Sequence, residues 1–98
     1  MKGIYEFYRD CGRMGDLEGT FIADSEAVAN VVGKYIYFGE VLGKHSEIAF
    51  TIKPDDIWLK TDNQEFISLF EQIMGEGWST GYSPLDYLPE EEQEEDEE

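Results

Sequence analysis

Asp62-Asn63-Gln64-Glu65-Phe66-Ile67-Ser68-Leu69-Phe70-Glu71-Gln72-Ile73-Met74-Gly75 is the stretch where the chain changes its period. Phe66, Leu69, Phe70, Ile73 and Met74 recur at helical spacing and form one apolar stripe. Asp62, with Glu65 three residues on, has the spacing of a capping box, and Gly75 and Gly77 end the run. The segments upstream alternate at two instead. A helix with one apolar stripe needs a surface to cover, and alternating strands supply it. Phe66 and Phe70, together with Phe50 from a preceding strand, are therefore expected in the core.

Working outward, residues 34–42 set Ile36, Phe38 and Leu42 against Tyr35, Tyr37 and Val41. Gly43-Lys44-His45 turns the chain, and 47–53 returns with Ile48, Phe50 and Ile52 alternating. Near the start, residues 2–9 set Tyr5 and Phe7 against Ile4, Glu6 and Tyr8. A turn-rich loop at 12–16 leads to extended 17–23, so these pieces are expected to pair. Asp24-Ser25 offers side-chain oxygens to the free amides of a short helix, 26–32, closed by Gly33. Pro54-Asp55-Asp56 interrupts the fourth strand, and 57–60 is a short extended piece with Ile57 and Leu59 opposed to Trp58.

The resulting order, β-β-α-β-β-β-α, predicts an α+β fold. Its antiparallel four- to five-stranded sheet would carry both helices packed on one face. Tyr35, Tyr37 and Trp58 would then face away from the core. Either residues 78–88 fold back over them, or they form an exposed aromatic patch of the kind that marks a contact surface. Residues 1–75 are expected to be the single domain. Residues 76–88 are a glycine- and aromatic-rich linker or docking segment, and 89–98 a flexible, low-complexity acidic tail kept solvated by self-repulsion.

Charge is distributed unevenly. Residues 1–60 hold ten carboxylates against all seven basic side chains, a formal −3, whereas residues 61–98 hold thirteen carboxylates and no Lys or Arg. Together these give the net −16. Such a field attracts basic surfaces and repels nucleic acid and membrane phosphates, so neither direct nucleic-acid nor membrane binding is expected. Because the chain is 41% hydrophobic and 14% aromatic, it has material for one modest core. No apolar run approaches the roughly 18–20 residues of a membrane span. Glu6, Arg9 and Asp10 interrupt the N-terminus too early for a signal peptide. Cys11 is the single cysteine, which excludes an internal disulfide. A cytoplasmic location is the expectation.

Motifs for chemistry are scarce. His45 is the one histidine, set in Gly43-Lys44-His45-Ser46-Glu47 at a hairpin tip, where it lacks a fixed nucleophile and an orienting group. Lys44, His45 and Ser46 read better as a candidate contact loop. Cys11, between Arg9 and Arg13 and beside Asp10, reads as a small apolar side chain at a strand end. There is no zinc-ligand spacing, no calcium loop around Asp55-Asp56, and no glycine-rich phosphate cradle. No cofactor or metal is expected, and no enzyme.

The segment Tyr37-Phe38-Gly39-Glu40-Val41-Leu42-Gly43-Lys44-His45-Ser46-Glu47 resembles a stretch of small uncharacterised phage and bacterial proteins. In size and composition the chain is similar to phage-encoded inhibitors of bacterial defence, the anti-CRISPR and DNA-mimic proteins. This likeness shares no motif and carries over no residue. It implies a non-enzymatic binding protein that blocks a basic, nucleic-acid-handling site on a host partner.

On this reading carboxylates stand in for phosphates, and aromatics supply the anchors. The expected contact residues are Asp62, Glu65, Glu71, Glu76 and Asp86 with Trp78, Tyr82 and Tyr87. One alternative is a small-ligand sponge for a nucleotide signal, using Arg9, Arg13, Lys34, Lys44, Lys53 or Lys60. Another is a solubility or structural accessory protein. The oligomeric state is left open.

Overall fold

Alternation in the N-terminal residues produces β1 (Lys2–Asp10) and β2 (Asp16–Asp24), joined by a 3₁₀ turn at Gly12–Met14. They pair antiparallel without interruption from Lys2↔Asp24 to Asp10↔Asp16. The elements α1 (Ser25–Val31), β3 (Tyr35–Gly39) and β4 (Ile48–Thr51) follow. After a 3₁₀ turn at Pro54–Asp56 come β5 (Ile57–Thr61), α2 (Gln64–Met74) and β6 (Ser79–Gly81), then a last 3₁₀ turn at Pro84–Tyr87. This computed structural model describes residues 1–88, so the acidic tail expected at 89–98 lies outside the described residues.

The fold is α+β with an antiparallel sheet, as the sequence predicts. Its strands are grouped into a four-stranded sheet in the order β5-β1-β2-β6 and a separate β3-β4 pair. The strand absent from the expected order is β6, whose Ser79-Thr80-Gly81 has no apolar alternation to announce it. What admits it is a glycine pair, because Gly19 faces Gly81 across the ladder. A Cβ on Gly19 would lie 2.1 Å from the Tyr82 carbonyl oxygen, and one on Gly81 would lie 2.2 Å from that of Glu18. No side chain fits either place.

One face of the four-stranded sheet builds the main core. Tyr5, Phe7, Leu17, Phe21 and Ile57 project from it and pack with Val28 and Val31 of α1 and with Ile36, Phe38, Ile48 and Ile52 of the second hairpin. The Tyr5–Phe21 and Phe7–Phe38 rings stack with centroids 6.1 and 6.0 Å apart. Phe50 is half-buried at the edge of this cluster, 5.2 Å from Phe38. Val41 and Leu42, expected in a strand, leave it at the bulge between Tyr37 and Gly39 and pack against the core from the loop.

A partly buried ion pair holds Arg9 where it also reaches the second hairpin, its guanidinium donating to the Thr51 carbonyl at 3.4 Å. Arg9 Nη1 donates to Asp56 Oδ2 at 2.7 Å, and the same oxygen accepts from the Lys53 amide at 2.9 Å. The guanidinium also lies 3.9 Å from the centre of the Phe50 ring. A charge removed from water is tolerated when it is paired and bonded in this way.

The helices serve different faces. Val28 and Val31 of α1 belong to the main cluster, whereas Ile4 and Ile67 are buried outside it. Ile4 alternates with Tyr5 and so points to the opposite side of the sheet. There α2 is fastened by Lys2, whose ammonium is 3.0 Å from both Glu71 oxygens and whose carbonyl accepts from Gln64 Nε2 at 2.8 Å. The expected single helical layer does not form because the β3-β4 pair already occupies much of the first face.

Caps also differ in detail. Asp24 is the N-cap of α1, but its carboxylate takes the N-terminal ammonium at 2.7 Å. For α2 the cap is Asn63 rather than Asp62, with Oδ1 accepting from the amides of Glu65 (3.0 Å) and Phe66 (3.1 Å). Both residue types cap well, and the helix simply starts one residue later.

Candidate interaction surface

The apolar arc of α2 is wider than the surface beneath it. Phe66, Ile67, Leu69, Phe70, Ile73 and Met74 all belong to the helix, yet only Ile67 is buried, at 2% exposure. Phe66, Leu69 and Ile73 remain 49, 54 and 71% exposed. The stripe expected in the core is therefore corrected: α2 is rolled so that Ile67, Phe70 and Glu71 turn inward, and the line Phe66-Leu69-Ile73 stays in water. The burial of Ile67 goes with this roll, and the Lys2–Glu71 pair lies on the same inward side.

Trp78 is half-buried beside this line. Its ring meets Phe70 edge-on at 4.9 Å, and Phe70 in turn lies 6.0 Å from Phe66. These three aromatics form a continuous chain of ring contacts. Asp62, Glu65 and Glu76 are exposed at the two ends of α2, and no Lys or Arg occurs after Lys60. The structure thus brings Asp62, Glu65, Glu76 and Trp78 to one helix and its ends. Glu71 differs, because Lys2 neutralises it.

Tyr82 and Tyr87 are placed elsewhere. The strap at residues 78–88 crosses onto the main-core side, where Tyr82 Oη donates to the Val41 carbonyl at 3.3 Å. The Tyr87 ring lies 4.8 Å from Phe38, and burial pushes its phenol pKa up. Leu85 and Leu88 pack on the same cluster, and Pro84 is buried. These tyrosines hold the strap down. Asp86 is left exposed on the strap.

Lys44 and His45 are exposed and Ser46 half-buried at the end of the second hairpin, with His45 at a positive φ of 66°. That hairpin packs on the main-core face, opposite to α2, so the loop and the acidic helix do not form one site. Tyr35 and Tyr37 are exposed on the outer side of the same hairpin, and the strap does not cover them. Cys11 is half-buried against the core, and loss of solvent raises its thiol pKa more than Arg9 lowers it. Among the described residues no group of three or more His, Cys, Asp or Glu is placed to hold a metal ion. No helix among them is long and apolar enough to cross a membrane.

Sequence reasoning missed a second feature. The α2 side of the sheet is covered at the Lys2 end only, and its other half forms an open cleft of about 500 Å³. Trp58, Glu6, Thr20 and Thr80 face one another in register across β5, β1, β2 and β6. Tyr8 and Glu18 make the next row. Cross-strand neighbours on one face have Cβ atoms about 5 Å apart, so these six side chains form one continuous surface. The even-numbered alternation of β1 was the available signal, but it needed the strand order to complete it.

No family model matches the chain, and neither the curated proteins nor the solved structures provide a match.

Proposed function

We propose that this protein is a non-enzymatic acidic binding protein that docks on a basic, nucleic-acid-handling surface of a partner and blocks it, as phage-encoded inhibitors of bacterial defence do. The observation that carries the reading is the solvent-exposed flank of α2. Phe66, Leu69 and Ile73 lie in water between the carboxylates of Asp62, Glu65 and Glu76. Burying such half-exposed side chains contributes about 1 kcal/mol each, enough together for a useful anchor. The surrounding negative field selects a basic partner and steers its approach. It also disfavours a second copy of the same flank, since identical carboxylate rims would then meet.

The test uses the full chain immobilised and exposed to bacterial lysate at low salt. A partner released by a short DNA duplex, and not retained by the Phe66→Ser/Leu69→Ser variant, supports the reading. Retention in excess duplex, or equal capture by the variant, overturns it. Sedimentation showing a dimer that the same variant abolishes assigns the flank to self-association and likewise overturns it.

A further inference from the structure

We infer that the open cleft on the α2 side of the sheet is a binding site for an arginine side chain, with Trp58 as the stacking surface and Glu6 and Glu18 as the anions. The inference rests on the basic-partner reading only in taking a protein's arginine as the natural occupant. The cleft itself is argued from its own residues.

Its floor is built by register. Trp58 faces Glu6, Glu6 faces Thr20, and Thr20 faces Thr80. Tyr8 and Glu18 close the adjoining row. The cleft thus places an exposed indole beside a carboxylate, with two hydroxyls continuing the row and a second carboxylate in the next row. A guanidinium uses all of these at once: its plane stacks on an indole, and its edge forks onto carboxylate and hydroxyl oxygens. An ammonium uses the charge but not the plane. A neutral sugar uses the plane but gains nothing from the charge.

Local electrostatics favour a cation. Tyr8 Oη donates to Asp16 Oδ2 at 2.9 Å, which fixes the ring and brings a third carboxylate to that end. The Tyr8 phenol pKa is raised, first by this hydrogen bond, then by burial and by the charges of Asp16, Asp10 and Glu18. Against these stands Lys60, whose ammonium is 3.9 Å from Glu6 Oε1 and whose side chain is half exposed. That distance leaves the contact long and solvent-screened, so an incoming guanidinium can displace it.

Acetyl-arginine amide is the probe, and its citrulline counterpart, equal in shape and uncharged, is the control. With Trp78→Phe in place, Trp58 is the sole tryptophan, and its emission should respond to the arginine probe saturably at low salt. Citrulline should bind at least tenfold more weakly. Glu6→Gln and Glu18→Gln should each weaken the arginine response severalfold and together by tenfold or more, whereas Lys60→Ala should strengthen it. Amide shifts at Thr20 and Thr80 in the unaltered protein provide a readout that needs no variant.

Equal response to citrulline, a response to N-acetylglucosamine but not arginine, or shifts that bypass Thr20 and Thr80 would overturn the inference. Phe66→Ser/Leu69→Ser leaves the cleft intact. A protein that binds the arginine probe but captures no duplex-displaced partner therefore sinks the functional reading alone, and the reverse result sinks the cleft alone.

Discussion

The two faces of the four-stranded sheet are built from the same strands and treated in opposite ways. On one, Tyr5, Phe7, Leu17, Phe21 and Ile57 are sealed by α1, the β3-β4 pair and the strap. On the other, α2 covers the Lys2 end, and the remainder is an open surface of Trp58, Tyr8, Glu6, Glu18, Thr20 and Thr80. The difference shows how a small chain can divide labour. Stability is concentrated on the first face, which leaves side chains of the second free to be chosen for contact.

Truncation of Phe7, 1% exposed on the closed face, should be the most damaging change. Phe7→Ala is expected to cost about 3–5 kcal/mol in urea unfolding, while Tyr8→Ala on the open face should cost much less. Comparable losses would erase the distinction between the faces. Next comes the ion pair that holds Arg9 against the second hairpin. Asp56→Ala leaves Arg9 partly buried without its carboxylate and should cost about 3 kcal/mol. A loss no larger than that of an exposed pair would show the clasp to be dispensable.

The strap offers a sharper test. Gly19→Ala places a methyl group against the backbone of Thr80 and Tyr82 and should cost about 1–3 kcal/mol. Because Tyr82 donates its amide to the Glu18 carbonyl, that amide should lose hydrogen-exchange protection before the β1–β2 amides do. Simultaneous loss would mean that the strap and sheet unfold as one unit. Within α2 the contrast recurs in miniature. Ile73→Ser should change stability by less than about 0.5 kcal/mol, whereas Ile67→Ala should cost about 2–4 kcal/mol.

The smallest effect concerns Cys11. Its raised pKa means that less thiolate is present at neutral pH than in a free cysteine. Alkylation followed by mass spectrometry should therefore be slower than for free cysteine at pH 7 and converge as pH rises. Faster alkylation at pH 7 would contradict the half-buried placement.

Much of the fold was legible because it is written in local periods. The alternation of residues 2–9 and 17–23, the helix near Asp24 and the helix after Asp62 all lie close to where the sequence places them. Long-range decisions were not legible. Nothing in Ser79-Thr80-Gly81 alone marks a strand, since its place depends on Gly19, which faces Gly81 across the ladder at close approach. The periodicity of α2 revealed its apolar stripe but not its roll. That angle goes with contacts made far away in sequence, where Ile67 is buried on the sheet and Lys2 meets Glu71. For the same reason the sequence could not show that Tyr82 and Tyr87 pack on the main core, or that Phe66, expected in the core, faces water.

Sheet order β5-β1-β2-β6 also dictates an order of assembly. β1 and β2 occupy the centre of the sheet, and the strands that flank them, β5 and β6, are synthesised later. Until they arrive, the nascent hairpin displays unpaired amides and carbonyls along both of its sides, a template for any passing strand. Non-local closure of this kind slows folding. Protection of β2 at Gly19, Thr20 and Phe21 waits for Ser79, Thr80 and Gly81, so a chain stalled before those residues exposes this length of β2 as an edge, which in the finished molecule is covered by the short strand β6.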